Sequence, residues 1–210
     1  MHTASAPLAA GTVDPEVDSG RGHRALDLAG IERSVRGLLA SLGCDPSDEG
    51  LVDTPRRVAE AYAELLGPRR FTPTTFPNDE GYDELVVARD LPVVSLCQHH
   101  LLPFVGRAHV GYLPGDRILG LSKLARVVEH FAGSLQTQER LTSQVADWLD
   151  GRLRPRGCGV VVEAQHLCMT LRGARARGAS TVTSALRGMV RDDPRTRQEF
   201  LALCGRSRPG

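Results

Sequence analysis

The spacing of apolar positions changes along the chain and divides it into helical and extended stretches. Ile31, Val35, Leu38, Leu39 and Leu42 recur at helical spacing with Gly43 behind them, which predicts an amphipathic helix. Asp53-Thr54-Pro55 offers a capping side chain before a proline at a first helical position. Val58, Tyr62, Leu65 and Leu66 then line one face until Gly67-Pro68, predicting a second helix. Between Arg69 and Tyr82, proline, threonine, asparagine and glycine read as a long surface loop. The period then becomes β-like over Glu84 to Arg89 and Val93 to Cys97, with Pro92 as an interruption. It is β-like again over Arg107 to Leu113, closed by the turn Pro114-Gly115-Asp116.

Two helical stripes follow, one of Leu124, Val127, Val128, Phe131 and Leu135 and one of Leu141, Val145, Trp148 and Leu149. The valine-rich run Gly159 to Ala164 predicts a strand leading into His166-Leu167-Cys168. Ser180 to Leu186 reads as its antiparallel partner across the loop Arg172 to Gly178, and Pro194 to Leu203 closes the chain as a helix. This order predicts an α+β fold with an antiparallel sheet and helices on one face. Residues 1–24 show no periodicity and read as a disordered tail. Residues 25–80 form a helical region with its loop, and 81–205 form the main domain.

Composition narrows the class without changing this outline. The 210 residues are 41% hydrophobic and 24% charged, as in an ordinary globular chain, and no apolar run is long enough to span a bilayer. With 26 Lys and Arg against 25 Asp and Glu, the net charge of +1 provides no global field for nucleic acid, so any anion site is local. Five scattered cysteines and no secretory signal predict a reducing cytoplasm and thiols available as ligands.

The candidate chemistry lies in Cys97-Gln98-His99-His100 and His166-Leu167-Cys168. Cys97 and His100 have Cys-x-x-His spacing and Cys168 arrives from a neighbouring strand, a donor set suited to zinc. Three readings follow from the residues: a catalytic zinc with an open fourth position and His99 and His166 left for proton transfer, a closed structural zinc completed by one of those histidines, or no metal. His2, His23, His109 and His130 have no such neighbours and read as surface or packing residues. Gly120-Leu121-Ser122-Lys123 opens a helix with Ser122 as its predicted N-cap. Lys123, Arg126 and Arg172 either complete an anion site there or are solvated basic residues. Glu139, after Gln138 at another helix start, either complements the macrodipole or, if buried beside the amide, meets the donor edge of a purine.

Six stretches together resemble the successive motifs of the GTP cyclohydrolase I family. They are Asp53 to Ala59, Cys97 to Pro103, Gly120 to Lys123, Gln138 to Leu141, His166 to Met169 and Ser180 to Gly188, in order within a match from about Leu26 to Leu203. The resemblance implies a tunnelling-fold subunit in a toroidal homodecamer with active sites where subunits meet. It implies conversion of GTP and water to 7,8-dihydroneopterin triphosphate and formate, the entry to folate and pterins. It assigns Cys97, His100 and Cys168 as zinc ligands and His99 and His166 to proton transfer. Gln138 and Glu139 would face the guanine, and Ser122, Lys123, Arg126 and Arg172, with Arg57 as a further contributor, would hold the triphosphate.

Gln98 departs from the family pattern, which usually has glutamate after the first ligand cysteine, and the loop Ala174 to Ala179 lacks the family's usual lysine. Replacing a carboxylate by an amide beside a metal site is the kind of outer-shell change that alters affinity or activity about 10- to 100-fold. A family member repurposed for a specialised pathway such as deazapurine formation, or one that stops at purine ring opening, is therefore an alternative. So is a zinc-stabilised protein without turnover.

Overall fold

The computed structural model describes residues 12–13, 26–67 and 70–205. Its elements are β1 Thr12–Val13, α1 Leu28–Ser41, α2 Thr54–Leu66, β2 Thr74–Pro77, β3 Val86–Cys97, β4 Pro103–Leu113, β5 Arg117–Leu119 and α3 Leu121–Ala132. β6 Leu135–Gln136, α4 Gln138–Leu153, β7 Gly157–His166, α5 Leu167–Thr170, β8 Thr181–Gly188, α6 Met189–Asp192 and α7 Pro194–Gly205 follow. The architecture is α+β. The expected tail lies outside the described residues apart from β1, whose backbone pairs with β2.

The main sheet has the order β6-β3-β4-β7-β8, antiparallel throughout except that β6 runs parallel to β3. Alternation along the strands separates its two faces. Phe104, Ala108, Val110, Val160 and Val162 point to one face and bury against Leu124, Val127 and Phe131 of α3 and Leu141, Val145 and Leu149 of α4. On the other face Phe200 of α7 packs with Val190, Val87, Val161 and Leu186. A Cβ at Gly159 would stand 2.6 Å from the Phe200 ring and one at Gly111 would stand 3.1 Å from it, so two glycines make the seat for that ring. The expectation of helices on one face is thus corrected: α3 and α4 take one face, and α7 covers an end of the other.

Three further differences have local causes. The stretch read as a loop contains β2, which pairs with β5 in a second small sheet and buries Phe71 and Thr75 nearby. The two β-like stretches around Pro92 are one strand, kinked by a bulge between Ala88 and Leu91 where Asp90 takes a φ of 55°. Pro92 is tolerated there because β6 pairs with β3 only at Leu96 and Cys97, leaving that side of β3 free of a ladder. His109 and His130 are buried, as packing residues would be, whereas His2 and His23 lie outside the described residues.

α1 and α2 pack on each other through their apolar stripes, and Tyr62 of α2 donates to the carbonyl of Leu101 at 3.3 Å. No residue of α1 is buried, and Leu28, Leu38 and Leu42 remain exposed.

Candidate active site

The turn after β3 is fixed by its backbone. The Cys97 carbonyl accepts from the amides of His100 at 3.3 Å and Leu101 at 2.9 Å, and Leu101 closes the turn with a φ of 55°. Gln98 N–H donates to the Gln136 carbonyl at 2.9 Å, so β6 ties the turn to the junction of α3 and α4. The result buries Cys97 and leaves Gln98, His99 and His100 exposed. Pairing of β4 with β7 sets His166 opposite Phe104, with the rings stacked at 4.8 Å and 14°, and α5 then carries Cys168 to Cys97.

Ligand atoms of Cys97, His100 and Cys168 lie within 4.8 Å of one another. Cys97 Sγ is 3.7 Å from His100 Nδ1. Tetrahedral zinc with ordinary Zn–S and Zn–N bonds places such atoms about 3.6 Å apart, so two thiols and one imidazole fit zinc in both chemistry and spacing. Burial, then the neighbouring Cys97, pushes the Cys168 thiol up, while the positive charge of Arg172 opposes the shift. A divalent cation would reverse this by favouring the thiolates. His99 Nδ1 is 3.8 Å from the Cys97 sulfur, and its Nε2 faces Gln98 Nε2 at 3.3 Å.

His166 sits at the edge of this group. Burial lowers its pKa and the carboxylate of Glu139 works against that shift. Its Nε2 meets Gln138 Oε1 at 2.7 Å. The Gln138 side chain is buried at 1% exposure, and its amide nitrogen faces Val162 O, Thr181 O and Thr183 Oγ1 at 3.0, 2.9 and 3.1 Å. Every polar atom of that side chain is engaged inside the chain. Glu139, next to it, is exposed.

A family model described as GTP cyclohydrolase I matches residues 31–205. The chain belongs to the GTP cyclohydrolase I family. It is 48% identical over 196 residues to a Rhodopirellula baltica protein named GTP cyclohydrolase 1, a match spanning 91% of this chain and 85% of that one. It is 49% identical over 179 residues to an Aquifex aeolicus protein of that name, with 85% and 97% covered. A Thermobifida fusca protein, also named GTP cyclohydrolase 1, is 50% identical over 195 residues, with 90% and 93% covered.

The residues expected of a GTP cyclohydrolase I site fall into two sets. Cys97, His99, His100, Glu139, His166, Cys168 and Arg172 gather where β3 ends and β7 runs into α5. Ser122 and Lys123 start α3, whose opposite end meets β3 just before this turn, through the bond from Ser95 Oγ to the Ala132 carbonyl at 2.7 Å. Twelve helical residues separate the two ends, about 18 Å. The first turn of α3 instead adjoins Thr74 and, through Leu119, Tyr112 at the far end of β4. Ser122 is also not the cap: Gly120 holds that position, without a side-chain bond. Arg126 pairs with Glu129 at 3.2 Å, and Arg57 pairs with Asp53 at 3.5 Å near the start of α2. Phe104, which holds the His166 ring by stacking, was not among the sequence candidates. Its only sequence signal is its place beside Pro103 at the end of the first cluster.

Proposed function

We infer that this chain is a GTP cyclohydrolase, converting GTP and water to 7,8-dihydroneopterin triphosphate and formate. The observation that carries this reading is the convergence of Cys97, His100 and Cys168 on one point with two further imidazoles beside them. Cys97, His100 and Cys168 would hold a zinc ion, which when bound would supply the Lewis acidity that makes water nucleophilic near neutral pH. His166 and His99 carry protons to and from the purine as its imidazole ring opens and the released carbon leaves as formate. Glu139 accepts from the N–H edge of the guanine, and the proximity of its carboxylate to His166, whose pKa it raises, supports that role.

The triphosphate is held by Ser122, Lys123 and Arg126, with Arg57 and Arg172. The length of α3 between the two sets supports a site shared between subunits, each giving the metal half of one site and the phosphate half of another. The exposed apolar stripe of α1 supports self-association, and a homodecameric tunnelling-fold ring is the assembly we propose. Residues 25–80 then form a helical region and 81–205 the catalytic domain, with β2 pairing across the boundary to β5. Nucleic acid and membranes are not partners in this reading. Among the described residues no helix is long and apolar enough to cross a membrane, and all five cysteines are unpaired, which supports a cytoplasmic location.

The test is product analysis on zinc-loaded protein incubated with GTP. Formate together with a pterin that fluoresces after oxidation is expected. A ring-opened nucleotide without pterin would instead support the second reading, which the Gln98 amide beside the His99 ring favours: an enzyme halted at ring opening. Four protein ligands on the zinc and no turnover would point to a structural metal.

A further inference from the structure

The amide of Gln138 is oriented without ambiguity. Its nitrogen faces two backbone carbonyls, Val162 O at 3.0 Å and Thr181 O at 2.9 Å, and a flipped amide would set oxygen against both. A threonine pair reinforces the choice. Thr142 Oγ1 spends its single hydrogen on the backbone carbonyl of Gln138 at 2.7 Å, so Thr183 Oγ1, 2.7 Å away, must donate to Thr142 and is left to accept from Gln138 Nε2 at 3.1 Å. Gln138 Oε1 therefore points at His166 Nε2, 2.7 Å away, and can only accept.

We propose that Gln138 is a positioning residue for the reaction: it holds the hydrogen of His166 on Nε2 and leaves Nδ1 as the nitrogen through which His166 exchanges protons with the substrate. Oε1 offers only lone pairs, so the bond requires the hydrogen on Nε2 and leaves Nδ1 as the ring nitrogen outside it. Phe104, stacked on the ring at 4.8 Å, fixes the plane and Gln138 fixes the rotation within it. Gln138 stands on α4, and its partners Val162, Thr181 and Thr183 stand on β7 and β8, so the ring is aimed by the sheet core rather than by the exposed turn. The inference rests on the proton-transfer role of His166 proposed above.

The experiment compares Gln138→Met, His166→Ala and the double variant for kcat and KM with GTP, on protein matched for zinc content and melting temperature. Gln138→Met is expected to lower kcat about 10- to 100-fold, the range for outer-shell partners, with KM within about twofold. In the His166→Ala background it is expected to cost nothing further, because it acts through that ring. A raised KM at unchanged kcat, or an equal further loss without His166, overturns the proposal in favour of direct substrate contact. Full turnover by His166→Ala would overturn the role of His166 itself, a separate failure. If Gln138→Met does not fold, the ring-nitrogen NMR shifts of His166 in the unsubstituted enzyme, assigned against His166→Ala, report the same point. A hydrogen on Nε2 supports the proposal, and a hydrogen on Nδ1 overturns it.

Discussion

Cys168 and His166 are two residues apart, yet their removal is expected to separate metal from turnover. Cys168→Ser should lose zinc, measured as metal per chain after gel filtration. His166→Ala should keep zinc and lose turnover by about 100-fold or more, the scale of a missing proton carrier. Metal loss in His166→Ala would overturn the assignment. Gln98→Glu restores the charge usual in the family and is expected to raise turnover about 10-fold at unchanged zinc content, checked by formate release. At this scale the grouping of Cys97, His100 and Cys168 was legible because cysteine and histidine in a tight turn leave few other uses. The role of Gln138 was not, because the carbonyls that orient its amide belong to Val162 and Thr181, which only the sheet brings to it. Nothing in Gln138-Glu139 itself says which of the pair turns inward.

Among the elements, α7 offers a clean packing test. Phe200 is fully buried over Gly111 and Gly159, and Phe200→Ala is expected to cost about 3–5 kcal/mol, read from denaturant unfolding. The bulge in β3 carries a pH dependence. His109 Nδ1 accepts the Asp90 N–H at 3.3 Å, and burial holds the ring below the usual histidine range. Asp90 and Glu163 raise it, and Arg107 and Arg89 lower it further, without reversing the shift. In the unfolded chain this ring takes up a proton near pH 6.5. Its contribution to stability is thus fully present above about pH 6.5 and is lost as pH falls through the folded value. The acid-side decline in unfolding midpoint should flatten in His109→Gln, whose amide oxygen can still accept from Asp90. The long elements were legible from their periods, whereas β2, β5 and β6 were not. Each has four residues or fewer, and their pairing comes from partners distant in sequence, as Thr75 with Leu119 and Cys97 with Gln136.

For the whole molecule, the α+β order followed from the alternation of periods, but the placement of α7 on the second face did not. That placement depends on Gly111 and Gly159 lying side by side to admit Phe200, a match made only when β4 and β7 pair in register. An apolar stripe left open on α1 is expected to be covered in solution, so native mass measurement should find a large symmetric oligomer. Leu38→Glu, which adds a charge to the stripe, should shift it to smaller species. The separation of the metal turn from the first turn of α3 has a genetic corollary. Cys168→Ser and Lys123→Ala chains, each inactive alone, should complement when unfolded and reassembled together. At equal mixing about one site in four combines an intact metal half with an intact phosphate half from the neighbouring chain. Two dead proteins would then yield a working enzyme, and mixing without reassembly would not.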